Sequence, residues 1–211
     1  MKLFPAFLTL ILVSAISFET LAKPIATSSE KITPLLNGQT IPNVMTTLTS
    51  GEQVSLPSLI KNQKTVLFFY RGGWCPYCNT QMGQLKQLEP KLKAMGFKLI
   101  GISTDAPNDI EKSVNKMDLG YLLLSDFNSK VSQAFGLAFF ASEKVTQRYV
   151  AKMNLTNPLQ KNKQGEERLV LPAPAIYVFD SKGLVQFNYV NPNFKVRLHQ
   201  DILLAAAKLV K

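Results

Sequence analysis

Between Lys64 and Met95 the sequence changes period abruptly. Thr65-Val-Leu-Phe-Phe-Tyr70 is a continuous β-branched and aromatic run, the pattern of a buried strand. It passes through Arg71-Gly72-Gly73 and Trp74-Cys75-Pro76-Tyr77-Cys78 into a segment whose apolar residues Met82, Leu85, Leu88, Leu92 and Met95 recur at steps of three and four. That spacing predicts an amphipathic helix from Pro76 to Met95, with Pro76 suited to the first helical position, Pro90 expected to kink it and Gly96 to end it. A buried strand running straight into a helix restricts the fold to α/β architectures.

The rest of the chain repeats that alternation. Phe97–Ser103 reads as a strand, Asp105 to about Met117 as a helix, Tyr121–Leu124 as a short strand and Ser129–Phe135 as a short helix. Leu169–Phe179 leads into another buried strand. Asp180-Ser-Lys-Gly183 turns it into a hairpin partner, Leu184–Tyr189, and Val196–Val210 closes the chain as an amphipathic helix. Gly51–Leu56 reads as a hairpin rim, and residues 23–40 as a polar N-terminal arm. Residues 136–168 interrupt the pattern. They read as an insertion with one helix, Ser142–Met153, and an exposed polar loop, placed to approach the Cys-containing turn.

Cys75 and Cys78 are the only cysteines. At a helix N-terminus, free N–H groups and the macrodipole favour an anion and lower a thiol pKa. Cys75 is therefore expected to be the more exposed and more acidic thiol and the attacking thiolate, with Cys78 as its resolving partner. A zinc site within one chain would need two more ligands, and the only histidine is His199 near the C-terminus. A purely structural disulfide would close too short a loop to constrain the unfolded chain much. Thiol–disulfide redox is the better reading.

Met1-Lys2, the apolar stretch Leu3–Phe18 and Thr20-Leu21-Ala22 have the three-part plan of a secretory signal peptide cut after Ala22. The stretch is shorter than the about 20 residues that span a bilayer, which disfavours an uncleaved anchor. A periplasmic or secreted protein is expected, in a compartment where disulfides persist, with no stable membrane insertion after cleavage. The net charge of +10 comes from scattered lysines with no basic–aromatic run, so no nucleic-acid partner is expected.

Four segments in order, Phe-Phe-Tyr-Arg-Gly-Gly-Trp-Cys-Pro-Tyr-Cys at 68–78, Gly-Ile-Ser-Thr-Asp-Ala-Pro at 101–107, Leu-Leu-Ser-Asp at 123–126 and Pro-Ala-Ile-Tyr-Val-Phe-Asp-Ser-Lys-Gly at 174–183, resemble the thioredoxin-fold superfamily. Within it they resemble the peroxiredoxin-like alkyl hydroperoxide reductase and thiol-specific antioxidant family. The resemblance implies a thioredoxin-like fold over residues 41–211: a central mixed sheet flanked by helices, with the helical insertion before the C-terminal hairpin. It implies a thiol-dependent oxidoreductase that reduces peroxides or exchanges protein disulfides, acting as a monomer or homodimer. It needs no bound cofactor, because an external thiol donor, protein or small molecule, reopens the disulfide. The alternative is a binding or assembly module of the same fold for cysteine or metal partners.

The departures from the family are informative. Aligning the last cysteine of the peroxiredoxin signature Pro-x-x-x-Thr-x-x-Cys on Cys78 puts Cys75 in the Thr slot and Arg71 in the Pro slot. In that register Cys78 would meet the peroxide. The family's arginine just before the strand at 176–180 is replaced by Pro174, which instead resembles the thioredoxin cis-proline beside the dithiol. A cis Ala173–Pro174 bond is therefore expected, leaving Ala173 backbone groups free for an extended substrate. The buried acid that thioredoxins carry six residues before the first cysteine is Phe69 here, so proton handling falls to water or another group. Arg71 would stabilise a thiolate, polarise a peroxide or lie on the surface, and Trp74 would shield the dithiol.

Overall fold

The computed structural model describes residues 23–210; the expected signal peptide lies outside the described residues. In chain order the elements are β1 (Met45–Thr47), β2 (Gln53–Ser55), α1 (Leu56–Ile60), β3 (Lys64–Phe69), α2 (Pro76–Ala94), β4 (Phe97–Ser103), α3 (Pro107–Met117), β5 (Leu122–Ser125) and α4 (Lys130–Ala134). Then come β6 (Ala138–Phe140), α5 (Glu143–Met153), β7 (Gln160–Lys161), β8 (Glu167–Arg168), β9 (Val170–Pro172), β10 (Ala175–Phe179), β11 (Val185–Val190) and α6 (Gln200–Leu209).

Seven strands make a mixed sheet in the order β11-β10-β3-β4-β5-β1-β2. The three central strands β3, β4 and β5 are parallel, and β10 joins β3 antiparallel with Ala175 opposite Phe69. Because side chains alternate across a strand, the fully buried β3 feeds two cores. Val66, Phe68 and Tyr70 face a layer containing α2, α3 and α6; Leu67 and Phe69 face α1 and α4. This is the thioredoxin-like α/β sandwich the sequence implies.

Local chemistry sets the element ends. Pro76 opens α2, which runs unbroken through Pro90, where a kink was expected. Gly96 follows with φ 80°, the conformation that lets the chain turn into β4. The last helix starts at Gln200, later than Val196, because His199 caps it: its Nδ1 accepts the Asp201 N–H at 3.3 Å. The segment before it is thereby free to turn back toward α2.

The N-terminal arm is tied down by pairing of Ala26 with Phe139 and of Thr40 with Leu184. Residues 136–168 hold α5 and the small β7–β8 hairpin, and β6 pairs with β9. No helix among the described residues is long and apolar enough to cross a membrane.

Candidate dithiol site

The site lies where β3 and β4 leave the sheet, at the carboxyl edge where open α/β folds place their ligands. Tyr70 still donates to the Ile102 carbonyl at 3.0 Å, and the chain then turns sharply. Gly72 has φ 152°, and a side chain there would strike the Trp74 indole nitrogen and the Asp105 carboxylate. At Gly73 a side chain would meet the Ser113 hydroxyl. The Gly-Gly pair is thus demanded by close approach. Both Gly73 backbone groups are satisfied: its N–H donates to Asp105 Oδ2 at 2.7 Å, and its carbonyl accepts from Asn79 Nδ2 at 2.8 Å.

Cys75 is the N-cap residue of α2 and Cys78 lies in its first turn, with the Cys78 N–H bonded to the Cys75 carbonyl at 3.0 Å. Both thiols are free. They are also both buried, Cys75 1% exposed and Cys78 0%, so the expected exposure of Cys75 is corrected: Arg71, Trp74 and the segment before α6 close over it. The expected difference in acidity is present. Cys75 is lowered to about 6, first by the hydrogen bond from the Cys78 thiol, then by the Cys78 backbone N–H and the charges of Arg71 and Arg197, against the opposing effect of burial. Cys78 is pushed up, first by burial and then by its partner's sulfur. The pair ionises on Cys75.

Arg71 is buried, not on the surface. Its guanidinium carbon lies 4.1 Å from the Phe194 ring centre, 5.0 Å from Trp74 and 5.2 Å from Tyr149, and Nη2 donates to the Tyr149 hydroxyl. Trp74 packs on Tyr149, with ring centres 4.9 Å apart, so the insertion does reach the dithiol. On the other side Arg197 Nη2 donates to Cys78 Sγ at 3.3 Å, and Nη1 to Gln81 Oε1 at 2.9 Å.

Pro174 enters β10 beside the end of β3, but the bond before it is trans. The Ala173 N–H, expected to be open to a substrate, is bonded at 2.9 Å to the Leu137 carbonyl, and the Pro174 carbonyl accepts from Asn191 at 3.2 Å. The chain's own pairing fixes this segment. Asp105 is the buried acid that position 69 lacks. Burial pushes its carboxyl up to about 6, although the Gly73 N–H pulls it down. Among the described residues no group of three or more His, Cys, Asp or Glu side chains could hold a metal.

Sequence reasoning missed Arg197, Tyr149, Phe194 and Asp105. Asp105 carried a signal, since it follows the strand next to β3 at the same edge. Arg197 carried none, because Val196 onward reads as helix.

The AhpC/TSA family model matches residues 37–188. Peroxiredoxin Bcp of Escherichia coli is 33% identical over 104 residues, 49% of this chain and 66% of the relative, and the chloroplastic peroxiredoxin Q of Populus jackii is 28% identical over 164 residues, 78% and 64%. These matches span somewhat less than two thirds of each relative's length. Among solved structures, reduced Prx3 of Vibrio vulnificus in complex with H2O2 superposes with a TM-score of 0.66 at 18% identity, covering 82% of this chain and 99% of that one. Peroxidoxin BcpB of Mycobacterium tuberculosis gives 0.62 at 20%, covering 83% and 97%. With the family model spanning most of the sheet and the dithiol turn inside it, the chain belongs to the AhpC/TSA family.

Proposed function

We propose that the protein is an exported peroxiredoxin-like antioxidant enzyme, a thiol-dependent peroxidase whose redox centre is the Cys75–Cys78 pair. One observation carries the reading. Two guanidinium groups, Arg71 and Arg197, converge on a buried dithiol, and among the described residues neither has a carboxylate partner. Burying a cation without a counter-charge costs several kcal/mol, on the order estimated for a desolvated ion. A thiolate at Cys75 supplies the missing anion, and oxygen charge developing on a peroxide adds to it.

In this reading the Cys75 thiolate attacks one oxygen of a hydroperoxide. The S–O bond forms, the O–O bond breaks, and the leaving oxygen takes a proton as water or alcohol. Cys78 sulfur then displaces hydroxide from the Cys75 sulfenic acid; with the Cys78 proton this leaves as water and the disulfide closes. An external dithiol donor, a protein or a small thiol, returns both sulfurs to the reduced form by exchange. No bound cofactor enters the cycle. Export rests on the signal-like residues 1–22.

The test is a side-by-side assay of the mature chain with one thiol donor throughout: consumption of hydrogen peroxide and an alkyl hydroperoxide against insulin-type disulfide reduction. Fast peroxide consumption with negligible disulfide reduction is expected. The reverse result would replace the peroxidase with a disulfide-exchange enzyme, and failure of both would point to a binding module.

A further inference from the structure

The carboxylate of Asp105 does not touch either cysteine, yet it sits under the turn that carries them. The turn has three fastenings to neighbouring elements: Gly73 N–H to Asp105 Oδ2 at 2.7 Å, Asn79 Nδ2 to the Gly73 carbonyl at 2.8 Å and Thr104 Oγ1 to the Arg71 carbonyl at 3.4 Å. The shortest of them ends on Asp105. Gly72 and Gly73 have no room for side chains because the Asp105 and Trp74 side chains and Ser113 press against them, so the turn is built around this carboxylate. Asp105 is itself anchored: its N–H donates to Ser103 Oγ at 3.2 Å, and its carbonyl accepts from Ser125 Oγ at 2.6 Å.

No cation pairs with it. Among the described residues Asp105 forms no ion pair, and Lys112, which lines the same cleft, is bound to Asp109 at 2.9 Å. A buried carboxylate without a cation is unfavourable on its own, so stability alone does not explain an acid here. The cleft, about 440 Å³ and lined by Gly73, Trp74, Asp105, Ser113 and Asn157, gives its outer side access to solvent. The insertion closes that cleft, with Asn157 Nδ2 donating to the Thr104 carbonyl.

We propose that Asp105 is a positioning residue for the dithiol: by accepting the Gly73 N–H it holds the Arg71–Trp74 turn, and with it the Arg71 guanidinium, against the Cys75 sulfur. The inference rests on Cys75 as the attacking thiolate but not on the identity of the oxidant. What matters is an acceptor at the Oδ2 position, because an orphaned Gly73 N–H would let the turn rotate and carry Arg71 away.

The test is the pH midpoint of Cys75 ionisation in the reduced protein, read by ultraviolet thiolate absorbance, with Cys78 in its raised state providing the separation. D105A removes the acceptor, and the midpoint is expected to rise by about one pH unit, the size of shift that a displaced neighbouring cation gives. D105N keeps a carbonyl oxygen for Gly73, and its midpoint is expected to stay near that of the wild type. If D105A does not fold, D105S serves in its place, since its hydroxyl falls short of Gly73. An unchanged midpoint in D105A or D105S overturns the proposal, as does an equal shift in D105N. Because no peroxide enters the measurement, a protein inactive on peroxides would still decide it.

Discussion

Helices α2 and α4 begin at the same edge of the sheet, on opposite faces, and satisfy their first N–H groups in contrasting ways. At α4 a buried carboxylate does it: Asp126 accepts from Val131 at 2.7 Å and from Ser132 at 2.8 Å. At α2 the first turn holds no acid, and the cap position is given to Cys75. An acid there would satisfy the helix and repel a thiolate; with a thiol in the cap, the positive helix end and two arginines act on sulfur. The contrast shows how the fold reserves one helix start for chemistry and spends the other on structure.

The largest effect breaks the reactive side of that contrast. Cys75→Ser should lower peroxide consumption about a thousand-fold or more, as loss of a nucleophile does. Cys78→Ser should retain one rapid turnover per chain and then stall with a sulfenic acid detectable by mass spectrometry. A stalled product on Cys78 in the Cys75→Ser chain would instead assign attack to Cys78. Next, Asp126→Ala should destabilise the fold by about 2–3 kcal/mol through two orphaned N–H groups, measured by urea unfolding. The same change should leave the Cys75 ionisation midpoint where it was.

The two buried acids also set a pH dependence of stability. Burial raises both Asp105 and Asp126 to about 6 from an ordinary 3.8. Each binds its proton more tightly folded than unfolded, so its contribution is complete below about pH 4 and is lost as pH rises through about 6. Unfolding free energy should therefore fall by on the order of 1–2 kcal/mol across that window, and an Asp105→Asn chain should show a shallower fall. A profile as steep in that variant as in the wild type would exclude Asp105 as a contributor. The smallest effect is on the cations. Arg71→Met should raise the Cys75 midpoint by about one pH unit, and Arg197→Met by less, in the order of their influence on that sulfur.

Much of this was legible because it is local. The fully buried β3, the amphipathic α2 and the Gly-Gly turn between them follow from residue period and from backbone crowding, which a short stretch of sequence expresses. The dithiol surroundings are assembled from residues far apart in the chain. Arg71 meets Tyr149 from the insertion and Phe194 from the segment before α6, and Cys78 meets Arg197 across more than a hundred residues. Nothing periodic marks such contacts. Pro174 illustrates the opposite error: a local motif suggested a cis bond and an open Ala173, whereas Leu137 from a distant strand end had already claimed the Ala173 N–H.

That claimed N–H has a consequence for selectivity by size. A polypeptide laid alongside residue 173 as an added strand would look for a donor and an acceptor there, and the donor is engaged with Leu137. An extended protein guest would gain half the usual anchorage at this point, whereas a hydroperoxide, which needs no strand to lie on, loses nothing. The fold discriminates between visitors before any sulfur is involved, by having seated part of itself at the guest's place.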